Sequence, residues 1–346
     1  MQLTRKSHPW RWPTALILAL VTQVSSADLT VLQYHHISAT TPAATSTTPE
    51  LFESQLQTIA NAGLEVVELE AGTRAALAGE LNETQQVAIT FDDAYRSVLD
   101  VAVPLLQQRQ WPFTIFINTE AVGASGHLSW PELAELARQP GVTLANHSHD
   151  HGHLVRRPQE SHTTWRQRVD HSLDTAQRTL EQELGQTVPL FAYPYGEFSA
   201  ELEELLETRG WLAYGQHSGA IGEGSGHTRL PRFPMANRYG QPDALPDKLH
   251  SRAFPLDHAE LPDGVVESNP PTLALALPDA FDANRLGCFA SGQGRVAVEQ
   301  TASDVRIQAA EPFTSRRFRY NCTYPAGNGR FFWLSQPWLD LNRPED

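Results

Sequence analysis

Short runs rich in β-branched and aromatic residues recur along the first two thirds of the chain, at 29–33, 64–69, 87–91, 113–117, 142–145, 190–192 and 211–214. Each is nearly continuous in apolar character, the pattern of a strand buried on both faces. Between them lie stretches of helical period. The first begins after Pro49, with Phe52, Leu56 and Ile59 on one face; others span 71–78, 97–108, 131–138, 161–184 and 199–208. Thr47 and Glu50 have capping-box spacing, Gly63 and Gly185 sit where helices end, and Pro104 predicts a bend. Strands alternating with helices over some 200 residues predict an α/β fold with a parallel sheet, open or closed as a barrel.

The pattern stops near Arg238. Residues 241–271 hold six prolines and little period, which reads as a linker or wrapping segment. Beyond 272 come short alternating runs at 273–277, 296–298, 305–308, 318–320 and 331–334, with Asn328-Gly329 as a hairpin signal. They predict a small all-β, sandwich-like unit over 272–346. Residues 1–27 run from Arg5, Lys6 and Arg11 through an apolar stretch to Ser25-Ser26-Ala27, the order of a secretory signal peptide, too short to span a bilayer comfortably. That leaves 28–240 as the α/β unit.

The formal charge of −14 over 346 residues disfavours nucleic acid and anionic membranes as partners, and removing the basic leader makes the chain more acidic still. Cys288 and Cys322 are the only cysteines. In an exported chain such a pair reads as a disulfide, which agrees with a periplasmic or extracellular location. Closing that loop of about 34 residues is worth roughly 3–4 kcal/mol on the chain-entropy account.

Four polar clusters each follow a predicted strand: His35-His36, Asp92-Asp93, the stretch from His147 to His153, and Tyr193-Pro194-Tyr195-Gly196. In a parallel barrel all such ends open on one face, where active sites are built. His147, His149, His151 and His153 lie within seven residues, and imidazole is a common neutral ligand for zinc and its neighbours. A catalytic metal site uses three protein ligands and an open position, and Asp93 can add a carboxylate to two imidazoles. Asp92 beside it is placed as a general base, and a histidine of the first strand end as the acid. The competing reading makes Asp92 a helix cap and the histidines a solvated loop.

Thr90-Phe91-Asp92-Asp93, His147-Ser148-x-x-His151 and Tyr193-Pro194-Tyr195-Gly196 resemble, in order and spacing, three motifs of the polysaccharide deacetylases of carbohydrate esterase family 4. The resemblance spans about 28–240 and implies a distorted (β/α)7-type barrel and divalent-metal N-deacetylation of amino sugars in a polysaccharide. It implies Asp93, His147 and His151 as metal ligands, Asp92 as base, and the Tyr195 N–H as an oxyanion donor, with Zn2+ first and Ni2+ or Co2+ as alternatives. Tyr34-His35 resembles the branch that includes biofilm poly-N-acetylglucosamine deacetylases, which implies His35 as the acid. Two departures stand out. Ala94 replaces the usual Gly after the aspartates, and Ala192 replaces the Arg that orients the base, leaving Arg232 as the candidate substitute. His153 is expected behind the site and His149 in solvent. Trp111, Trp130, Trp165 and Trp211 read as core; Tyr324, Phe332, Trp333 and Trp338 read as packing of the β unit or its docking. The expected partner is an N-acetylated polysaccharide, poly-N-acetylglucosamine-like or chitin-like. The alternatives are a carbohydrate-binding or scaffold protein on a retained fold, and a deacetylase of peptidoglycan or another N-acyl substrate.

Overall fold

The computed structural model describes residues 27–81, 84–302 and 304–345, so the segment read as a leader lies outside the described residues save Ala27. The main sheet runs, in spatial order, Ala220–Ile221, Leu29–Tyr34, Gln86–Asp92, Phe113–Ile117, Val142–Asn146, Leu190–Ala192, Leu212–Tyr214. All neighbours are parallel except the first pair. Side chains alternate between two apolar layers. Val31, Ala88, Phe116, Ala145, Leu190 and Leu212 fill the inside of the curl. Leu32, Ile89, Ile115 and Ile117 face outward onto Phe52, Leu56, Val98, Leu106 and Leu133 of the surrounding helices.

Register lines up the strand ends. Tyr34 pairs with Phe91, Asp92 with Phe116, Ile117 with Asn146, and Ala192 with Tyr214. The polar residues that follow these strands therefore share one rim. Residues 230–234 close the curl, because Leu230 bridges Tyr214 while Phe233–Pro234 pairs with Leu32 and Gln33. Arg232, midway along this stitch, is fully buried.

Three local readings shift. The first helix, Pro49–Asn61, is capped by Thr48, whose side chain accepts from the Leu51 N–H, so the cap falls one residue after Thr47. The run at 64–69 forms a strand only at Glu65–Val66; Leu69 opens the helix Leu69–Leu77, where Leu69, Gly72, Thr73 and Ala76 make one buried helical face. Around Pro104 the bend is a π-turn, Val98–Ala102, passing into the α-helix Val103–Gln108, which accommodates the missing proline N–H.

The C-terminal unit packs a sheet of Thr272–Leu275, Val305–Gln308 and Val298–Gln300 against a larger one of Arg252–Ala253, Arg330–Leu339, Arg317–Gly327, Gly287–Ala290 and Gly294–Val296. Leu273, Leu275, Ile307, Phe318, Tyr320 and Trp338 share its core. Asn328 and Gly329, at φ 52° and 73°, make the hairpin turn between the two longest strands. The stretch 241–271 wraps rather than links: Leu245 and Leu249 join the barrel's outer apolar layer, and Arg252–Ala253 adds a strand to the large sheet. Trp333 meets Phe233 edge-on, with ring centroids 5.1 Å apart, and so docks the β unit on the closing segment.

Cys288 and Cys322 face each other across two paired strands and are joined by a buried disulfide 34 residues apart in sequence. Replacing both by Ala is expected to lower stability by about 3 kcal/mol, read as a lower urea midpoint. An unchanged midpoint would show that the loop constraint contributes nothing.

Candidate active site and metal centre

Asp92 ends its strand inside the curl, fully buried. Arg232 grips it with two hydrogen bonds, Nη1 to Oδ1 at 2.7 Å and Nη2 to Oδ2 at 2.9 Å. The Gln33 amide donates to Oδ2 at 2.7 Å. Arg232 is itself held by donating to the Gly215 carbonyl and the Thr90 hydroxyl, with its guanidinium over the Phe116 ring. Burial pushes the Asp92 carboxyl up, but Arg232, with His147 and His35 behind it, outweighs burial and leaves the group well below the usual carboxylate range. The ion pair with Arg232 thus favours the ionised carboxylate. Asp92 caps no helix, and the capping alternative fails.

Asp93 turns away from the strand with φ 72°, its N–H donating to the Phe116 carbonyl at 2.9 Å. Its Oδ1 lies 3.5 Å from His147 Nε2 and 3.4 Å from His151 Nε2. One ligand atom from each of these residues falls within 4.8 Å of the others. His147 follows the Val142–Asn146 strand and is fully buried. Its Nδ1 lies 2.7 Å from the Ala192 carbonyl, an acceptor, so Nδ1 carries the proton and Nε2 presents its lone pair to the trio. Among the described residues neither Asp93 Oδ1 nor His147 Nε2 has a hydrogen-bond partner, although both are buried. Buried polar atoms are rarely left so, and a divalent cation fits the trio they face. His151, half-buried, is pushed down to about 4 by burial and by His147 beside it, so it is neutral and ligand-ready at neutral pH.

His35 Nε2 lies 3.9 Å from Asp92 Oδ2. His36 faces elsewhere and stacks on Tyr95, centroids 3.5 Å apart. Tyr195 sits in the turn Pro194–Gly196 at φ 59°. The His153 ring stacks flat on Tyr195 at 4.2 Å, and His153 Nδ1 is 2.7 Å from Glu197 Oε2. His153 thus backs the site, as expected. His149 does not point freely to solvent: its Nδ1 pairs with the Thr119 hydroxyl at 2.8 Å. Arg232, the candidate for the guanidinium missing at Ala192, contacts Asp92, while the Ala192 carbonyl accepts from His147.

The backbone at the rim is unusual. Asp93, Ala94, Ser148, His151 and Tyr195 are all non-glycine residues with φ between 50° and 72°. Such left-handed residues are uncommon away from glycine and cluster at functional sites. At Gly196 the reverse holds, since a Cβ there would meet Gln216 at 2.7 Å. The sequence does not mark Gln33 as a site residue. A lone amide near the end of the apolar run Leu29–Tyr34 was the available signal.

Residues 80–212 match the polysaccharide deacetylase family. The putative polysaccharide deacetylase YxkH of Bacillus subtilis (strain 168) is 24% identical over 185 residues, which span 54% of this chain and 63% of that protein. Among solved structures, Streptococcus pyogenes deacetylase PplD in complex with acetate superposes with a TM-score of 0.56 at 23% identity, covering 65% of this chain and 99% of that one. IcaB from Ammonifex degensii gives 0.54 at 24% identity, covering 64% and 94%. With its curled parallel sheet and this arrangement at the strand ends, the chain carries a polysaccharide deacetylase domain.

Proposed function

We propose that the protein is an exported, divalent-metal-dependent N-deacetylase that frees amines on N-acetylated amino sugars of a polysaccharide. The observation that carries this reading is the buried Asp92, clamped by Arg232, beside a trio whose ligand atoms at Asp93 and His147 lack hydrogen-bond partners. Asp93, His147 and His151 would hold the ion, and two imidazoles with one carboxylate suit zinc, with nickel or cobalt as alternatives. When bound, the ion supplies Lewis-acid polarisation of the acetamide carbonyl and a more acidic water.

The chain's own groups complete the hydrolysis. Water attacks the acetamide carbon while Asp92 accepts its proton. Arg232 opposes lasting protonation of Asp92, so the proton is readily passed on. The Tyr195 N–H, fixed in its turn, is assigned to the developing oxyanion. The C–N bond then breaks as His35 delivers a proton to the nitrogen, and acetate and a free amine leave. Arg232 and Gln33 position the base through their hydrogen bonds to its carboxylate. The buried disulfide supports an oxidising compartment. No helix among the described residues is long and apolar enough to cross a membrane. The match of residues 80–212 to the polysaccharide deacetylase family supports an N-acetylated polysaccharide as the substrate.

The test is acetate release by metal-replete protein from β-1,6- and β-1,4-linked N-acetylglucosamine oligomers. His147→Ala is expected to lose both bound metal and acetate release. Stoichiometric metal with no acetate from any N-acetylated oligosaccharide, neutral or carboxylate-bearing, would sink the deacetylase reading and favour a binding protein on the same fold.

A further inference from the structure

A groove of about 790 Å³ runs outward from Gln33, Tyr34 and His35 between the barrel rim and the β unit. The chain has 40 acidic and 26 basic residues, yet among the described residues no Asp or Glu lines this groove, while Arg238, Lys248, Arg317 and Arg319 do. Arg317, Arg319 and Asn321 alternate along one strand, Arg317–Gly327, whose other face is buried in the β core. The β unit therefore supplies the cationic wall.

Arg319 is the informative residue. It is half-buried, and among the described residues its guanidinium donates to the Gln216 carbonyl at 3.0 Å and pairs with no carboxylate. Burial pushes its pKa down. A desolvated charge without a counterion is costly unless something else supplies one. Arg317 pairs with Glu197 at 3.0 Å, a carboxylate it shares with Arg316 and His153. Lys248 donates to the Tyr239 carbonyl. Arg238 is exposed. The groove lining thus carries several cationic side chains and, among the described residues, no carboxylate.

We propose that this groove binds a carboxylate on the sugar flanking the N-acetylated one, making the preferred substrate an acidic N-acetylated glycan. The guanidinium fork of Arg319 matches a carboxylate in two-point geometry. This rests on the deacetylase reading and adds the class of glycan.

The test compares three oligosaccharides with metal-replete protein: neutral N-acetylglucosamine, N-acetylglucosamine alternating with glucuronic acid, and N-acetylglucosamine alternating with N-acetylmuramic acid. Expected is a kcat/KM at least about tenfold higher on one carboxylate-bearing oligomer than on the neutral one, lost as salt is raised. The two acidic arms identify whether a uronate or a lactyl carboxylate is read. Arg319→Gln is expected to reduce that preference by about tenfold, chiefly through KM. Arg238→Gln, at an exposed position that cannot threaten folding, reduces it less. Equal turnover of neutral and acidic oligomers, or an Arg319→Gln effect identical on all three, overturns the proposal. Calorimetric binding of an acidic oligomer that Arg319→Gln weakens, with no acetate released from any, upholds the groove and overturns the deacetylase reading instead.

Discussion

Asp92→Asn is expected to lower deacetylation by about 10²- to 10⁴-fold, the usual contribution of a positioned acid–base group, with metal content unchanged. The amide keeps the shape and can still accept one hydrogen bond from Arg232, but it takes no proton from water. The ligand trio is untouched, because Asp93 leaves the strand in a different direction and meets His147 and His151 instead. Removing the charge also leaves Arg232 buried without its counterion, so a lower melting temperature accompanies the loss. Metal content and acetate release are therefore compared well below the melt. Near-normal turnover with full metal occupancy would remove Asp92 from the base role.

Arg232→Gln carries the second large effect, and it separates positioning from chemistry. Breaking a fully buried ion pair by removing one partner costs about 3–5 kcal/mol. In the native chain the Asp92 pKa lies below its ordinary value of 3.8, so the pair contributes stability above that pH and loses it as pH falls through the folded value. Without Arg232, burial dominates and raises the Asp92 pKa above the ordinary value. The sign then reverses: the variant gains stability as pH drops from neutral into mild acid, where the lone carboxylate is neutralised. Its pH–rate profile acquires an acid limb shifted upward from that of the native enzyme. Arg232→Lys keeps a charge without the two-point grip and falls between them. A profile identical to native for Arg232→Gln would mean that the guanidinium only packs.

Much of this was legible because strands buried on both faces write their chemistry at their ends. Asp92, Asp93 and His147 follow apolar runs, and a parallel sheet leaves no choice but to gather them on one rim. What the runs could not reveal was lateral register. Arg232 was a candidate only because Ala192 lacked a guanidinium; its hold on Asp92 depends on residues 230–234 closing the curl, a pairing of two residues with Leu32 and Gln33 that no periodicity announces. Gln33 escaped notice for the same reason. Leu69 was read with the strand before it, since a lone leucine at a boundary fits either period. The prolines at 241–271 concealed a segment that shares core with the barrel and sheet with the β unit. The cationic wall was invisible because its arginines are separated from His35 by most of the chain.

The left-handed turns at Asp93, Ala94, Ser148, His151 and Tyr195 bear on how this protein responds to selection. At roughly 1 kcal/mol each, they together amount to a sizeable part of the 5–15 kcal/mol by which a typical native state is favoured. Directed evolution for heat resistance alone would find its easiest gains here, by admitting glycine at these positions, two of which, Asp93 and His151, belong to the candidate metal trio. The resulting variants would outlast the parent in the oven and release less acetate at the bench.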